Sequence, residues 1–258
     1  MKKLIALSIG VVCFASCNKD KVLPEEISKK TLETAYIVSE VEVKKVGDYH
    51  NETLATVFKD FDWDAEDQKI ELIKRFQLNK IVLDDFQKED LELSGEEIEN
   101  KYVSLLKNKM SVKAYSYVDE VMGLLESTNH CSEFSKDLIL LKNKAMFAYE
   151  NKEFSSTEVN SLLVTFGVFE SSARFWAPIE SGGTGTGHSV LVKAHSEDGK
   201  RYSFNWKNAV TSDGISAGVG MLGVAATGIV GGPIGWISLA VVAGSSATRS
   251  AIAGCTLE

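Results

Sequence analysis

The stretch GISAGVGMLGVAATGIVGGPIGWISLAVVAGSSA, Gly214 to Ala247, runs for 34 residues without a charge, in a chain of which 25% of the residues are Asp, Glu, Lys or Arg. No other feature limits the fold as strongly. So long an apolar run has to be covered, either by protein or by lipid. It exceeds the roughly 20 residues of one helical membrane span, but GGPIG in its middle removes a backbone donor and breaks or kinks a single helix. Two shorter helices joined at Gly231, Gly232 and Pro233 fit better, giving a Gly/Ala-rich helical hairpin within residues 211–258. Gly214 and Gly218, Gly228 and Gly232, and Gly231 and Gly235 each stand four apart, a spacing that lets two helix backbones approach closely.

This pattern resembles a glycine-zipper segment, as found in bacterial lipoproteins, surface antigens and pore-forming bacteriocins. The resemblance covers about 35 residues and implies that Gly214, Gly218, Gly228, Gly231, Gly232, Pro233 and Gly235 mediate contact with a lipid bilayer or self-association. The alternative is a hairpin buried in the core of its own chain. Leu, Ile and Val each favour insertion by roughly 0.3–0.6 kcal/mol, whereas glycine and small polar residues do not. The stretch is therefore only marginally hydrophobic and can escape arrest during export.

Export is expected from the other end. MKKLIALSIGVVCFASC has a charged start, an apolar stretch and small residues before a cysteine, the layout of a secretory signal. Phe14, Ala15 and Ser16 ahead of Cys17 resemble the bacterial lipobox, which implies a signal peptide over residues 1–16 and lipidation of Cys17. Asn18 stands where an aspartate favours inner-membrane retention in that family. An outer-membrane lipoprotein is implied, facing the periplasm or displayed at the surface. Residues 17–30, polar with one proline, read as the lipidated tether.

Residues 18–170 hold 31 acidic against 20 basic side chains. Such a charge repels nucleic acid, which excludes it as a partner. Residues 31–178 read as an acidic helical domain, so the fold class expected is mainly α, a bundle of four or five helices. Ile70, Ile73 and Phe76 recur at helical spacing after Asp64, an N-cap candidate with Glu66 and Asp67 in the first turn. Ser94 opens a second helical stretch in which Ile98, Tyr102, Leu105, Leu106, Val118, Val121, Met122 and Leu125 form an apolar stripe. CSEFSKDLILLKNKAMFAYE and SSTEVNSLLVTFGVFESSARFW supply two more helices. The alternation in YIVSEVEVKKV is also compatible with a short strand. ESGGTGTG within residues 179–187 is a glycine-rich loop, and HSVLVKAHSEDGKRYSFNW within residues 188–210 alternates about a turn at Gly199 like a β-hairpin.

Two constellations bear on chemistry. Asp60, Asp62, Asp64 and Glu71 occupy positions one, three, five and twelve of a calcium loop, but Ala65 stands where the sharp turn needs glycine, so an acidic helix start is preferred and no metal is expected. His188 with Asn205 or Asn208 resembles the histidine and asparagine segment of papain-type cysteine peptidases, with Cys131 as the nucleophile that the resemblance implies. NHCSEF lacks the glycine and aromatic residues that surround such a cysteine, so the peptidase stays a distant alternative to a non-enzymatic protein without a cofactor. Oxidising surroundings allow a bridge between Cys131 and Cys255, and spacing leaves it open. Replacement of Cys17 by alanine is expected to abolish incorporation of a labelled fatty acid. Equal label on variant and wild type would remove the lipid anchor.

Overall fold

The computed structural model describes residues 36–62, 65, 67–81, 85–189 and 206–226. The described residues form α1 (Glu40–Phe58), α2 (Gln68–Leu78), α3 (Asp85–Asp90), α4 (Gly95–Lys109), α5 (Val112–Ser127), α6 (Cys131–Glu150), α7 (Ser156–Trp176) and α8 (Trp206–Ala226). The fold is mainly helical, as composition and periodicity indicate. The lipobox, Cys17, Cys255 and the second half of the glycine-rich hairpin, with Gly228, Gly231, Gly232, Pro233 and Gly235, lie outside the described residues.

Local sequence sets the helix starts. Ser39 with Glu42, Ser94 with Glu97 and Ser155 with Glu158 each form a capping box, in which the serine oxygen accepts a backbone N–H and the glutamate returns to the cap backbone. The first of these turns YIVSEVEVKKV into a helix start rather than a strand. The extended residues before it spend their backbone groups on Asn160 of α7, whose Oδ1 accepts from Val38 N at 2.9 Å and whose Nδ2 donates to Tyr36 O at 2.9 Å. At α2 the cap is Asp67, accepting from Ile70 N at 3.1 Å, three residues later than Asp64, which lies outside the described residues. With that start Ile70 is exposed, and Leu72 and Phe76 are the buried pair.

The long stretch after Ser94 is two helices. Met110 is extended and Ser111 caps α5, while Glu158 at the start of α7 accepts from Ser111 N at 2.7 Å and pins the junction. Ile98, Tyr102 and Leu106 of α4 and Val118, Val121 and Leu125 of α5 are buried as their spacing requires.

Helix α7 is the central element and packs against α8, α1, α6 and α5. Helix α8 lies against α7, α4 and α5, and residues 210–219 are buried without interruption. A helix covered all round belongs to a core or a membrane, and here its cover is protein. The β-hairpin expected over residues 188–210 is not supported. Residues 186–189 are helical and Trp206–Val210 form the first turns of α8, while residues 190–205 lie outside the described residues. The end of the alternating stretch, Trp206–Val210, is instead helical, with Asn208 exposed and Val210 buried.

The loop after α7 is held by hydrogen bonds. A 3₁₀ turn at Ile179–Ser181 ends at Gly182 with φ 79°, Gly183 N donates to Pro178 O at 3.1 Å, and Thr184 N reaches back to Arg174 O at 2.7 Å.

The α7–α8 contact depends on missing Cβ atoms. A Cβ on Gly214 would lie 2.0 Å from the Phe169 ring, and one on Gly218 would lie 2.4 Å from Thr165 Oγ1. By contrast, a Cβ on Gly223 of the same helix would meet nothing within 4 Å. Alanine at Gly214 or Gly218 is therefore expected to destabilise the protein by about 1–3 kcal/mol through overpacking. At Gly223 it should stabilise by about 0.4–1 kcal/mol by stiffening the unfolded chain. Denaturant midpoints of the three variants check this, and three equal midpoints would contradict the packing.

Candidate functional site

The feature of this fold that packing alone does not explain is a polar cluster sealed at the junction of α1, α7 and α8. Its centre is Asp213, the last charged residue before the glycine-rich stretch, fully buried. Oδ2 accepts from Trp176 Nε1 at 2.9 Å and from the hydroxyl of Ser172, both on α7. Oδ1 lies 3.3 Å from Nε2 of His50 on α1, which is also fully buried. Three helices thus converge on one carboxylate.

The imidazole is oriented from behind. Asn51 Nδ2 donates to Ser171 O at 2.9 Å, which turns its Oδ1 toward His50 Nδ1 at 3.1 Å. A proton on Nδ1 serves that contact, so only a second proton, on Nε2, can face the carboxylate favourably. Burial opposes the charged form, but the charge of Asp213, 3.3 Å away, and the hydrogen bond to Asn51 outweigh it, and the His50 pKa is raised. The cluster sets a buried histidine against a buried carboxylate, and the contact favours the charged form of the imidazole. That arrangement ties helices and stores a titratable charge. His50, Ser172 and Asp213 all have negligible exposure.

A polar seam continues along α7 and α8. Ser161 Oγ donates to Gly218 O at 2.9 Å, while Thr165 Oγ1 and Ser216 Oγ are buried without a hydrogen-bond partner among the described residues. Gly214 and Gly218 therefore sit in an intramolecular helix contact. No helix among the described residues is long and apolar enough to cross a membrane.

The residues of the peptidase resemblance stand on different elements, with Cys131 opening α6 and His188 in the helical turn of residues 186–189. Cys131 is 3% exposed, its Sγ donates to Ala173 O at 3.4 Å, and burial raises the thiol pKa more than nearby Arg174 lowers it. A nucleophilic cysteine needs the opposite shift. Asn208 is exposed on α8, and Asn205 lies outside the described residues. In the calcium-loop segment, the Glu71 carboxylate is held by Lys74 at 2.9 Å and Arg75 at 2.5 Å, and a backbone hydrogen bond from Asp62 further lowers its pKa. Asp60, position one, is in the left-handed region with φ 60°. Among the described residues no group of three or more His, Cys, Asp or Glu is placed to hold a metal ion.

Sequence reading missed His50 and Asp213. The available signal was Asp213 itself, a lone carboxylate at the head of the uncharged run. Comparisons with protein-family models, curated proteins and solved structures found no match.

The raised His50 pKa sets a sign. Its stabilisation is fully present below the ordinary value of 6.5 and is lost as pH rises through the raised value. Stability is expected to decline on that alkaline side in wild type and to lose this slope in Asp213→Asn. His50→Leu leaves an unmatched buried carboxylate and should cost about 3–5 kcal/mol, whereas His50→Leu with Asp213→Leu should recover much of it. Urea midpoints across pH measure both effects, and equal losses in single and double variants would refute the pairing.

Proposed function

We propose that the chain is a lipid-anchored, non-catalytic envelope protein, a structural or binding lipoprotein in which the glycine-rich segment begins as part of the core. The observation that carries this reading is the burial of residues 210–219 on all sides by other helices of the same chain. Energetics support it. Moving α8 into a bilayer would strip Asp213 of Ser172, Trp176 and His50, and a carboxylate at the centre of a span costs about 2.5–3.5 kcal/mol even by insertion scales. The lipobox-like FASC ahead of Asn18 supports attachment at the outer membrane.

A second reading is favoured by one observation of its own. The uncharged run continues from the end of α8 through Ala247 and keeps the small-residue spacing of a zipper. On that reading the later half self-associates or perturbs a bilayer, in the manner of a bacteriocin, and the bundle holds its base.

The mature chain without its lipid separates the two. A core segment predicts no liposome binding and no release of trapped dye, with early melting of Gly218→Leu independent of lipid. A membrane zipper predicts dye release by wild type that Gly228→Leu or Gly232→Leu abolishes while liposome binding persists. Dye release by wild type would overturn the first reading, and a chain inert to liposomes would overturn the second.

A further inference from the structure

Helix α6 buries Phe134, Leu138, Leu141 and Ala145 toward the bundle, yet its opposite, largely polar face carries three large exposed apolar side chains. Leu140 is 61% exposed, Phe147 66% and Ile139 51%. Lys136, Leu140, Asn143, Phe147 and Glu150, all exposed, follow one another at steps of four, three, four and three residues. That is the seam spacing of a helix that packs against another helix. The flanks of the ridge are fixed, because Lys142 pairs with Glu170 of α7 at 3.1 Å and Lys144 pairs with Glu120 of α5 at 2.7 Å.

The order of residues along the stripe identifies what fits it. Laid antiparallel on itself about Asn143, the stripe sets Lys136 against Glu150, Leu140 against Phe147, and Asn143 against Asn143. Charge meets opposite charge, and each aliphatic side chain meets an aromatic one. Neither Lys136 nor Glu150 makes an ion pair within the described chain, so both are available to the other copy. A parallel arrangement would oppose Lys136 to Lys136 and Glu150 to Glu150.

We propose that the outer face of α6 is an isologous contact between two copies of this chain, with the two α6 helices antiparallel across a two-fold axis at Asn143. The contact is self-complementary, as a two-fold axis requires. A contact confined to one helix per copy falls short of the roughly 1,200–2,000 Å² of a stable interface. The dimer is therefore weak and concentration-dependent. It is separate from the glycine seam of α8, which is occupied within the chain, and it does not depend on a lipid anchor.

Sedimentation of the mature, unlipidated chain over a concentration series tests this. Wild type should show a reversible monomer–dimer equilibrium, and Leu140→Glu, which sets two carboxylates against the Phe147 rings, should weaken it by on the order of tenfold or more. Lys136→Glu or Glu150→Lys alone should also weaken it, and the two together should restore it, since the charges are then exchanged. These positions are exposed, so unchanged melting curves separate loss of contact from loss of fold. A wild type monomeric throughout the series would overturn the proposal. So would a dimer that Leu140→Glu leaves intact, which would place association on another surface.

Discussion

The close approach of α7 and α8 is the constraint on which the other helices depend. At Gly214 and Gly218 the backbone of α8 comes against the Phe169 ring and Thr165 of α7, nearer than any side chain would allow. Two helices at that distance form a narrow pair, and a narrow pair can be wrapped. Helices α1, α5 and α6 pack on α7, and α4 and α5 on α8, each supplying one apolar stripe. The same device recurs where α1 crosses α7, with Gly47 against Ser171 and Gly167 against Val43. Small residues in this protein bring backbones together; the large ones, Trp176, Phe166, Phe169 and Tyr102, fill the space around them.

A buried carboxylate in such a pair needs a physical reason. Desolvating Asp213 costs several kcal/mol, which its neighbours recover only if their geometry is kept. Glycine and alanine faces are smooth, and a smooth contact specifies its register poorly. Asp213 supplies what the glycines lack: rotating α8 by one residue, about 100°, would turn the carboxylate away from Ser172, Trp176 and His50 into apolar surroundings. We infer that the cluster fixes the rotation of α8 and ties it to α1, and that the glycines fix its distance.

The amphipathic part of the fold was legible for a plain reason. Helices α4, α5, α6 and α7 have caps written locally, as at Ser94, Ser111 and Ser155, and all but α7 have one buried face, so periodicity and capping agree. Legibility failed where a segment is buried on every side: residues 210–219 of α8 mark no single face, so they give no pattern to count. It failed again where local and longer signals competed, at YIVSEVEVKKV, where the capping box of Ser39 and Glu42 outranks alternation. The polar cluster could not be found by spacing at all, since His50, Ser172 and Asp213 meet only through tertiary packing across more than 100 residues.

Composition and packing finally bear on one another through the glycine-rich run. A leucine-rich α8 would bury more apolar surface, but it could not reach Phe169 and Thr165 so closely, and it would be hydrophobic enough to arrest in a membrane during the export proposed from the lipobox. Glycine and alanine satisfy both conditions at once. They lower the tendency to enter lipid, and they recover the lost burial as close backbone contact, with Ser161 donating to the exposed carbonyl of Gly218. Asp213 works in the same direction, because it costs little beside Ser172, Trp176 and His50 and a great deal in lipid. The features that make this stretch look like a membrane element in the sequence are, as far as Leu222, also the ones that suit it to a crowded interior.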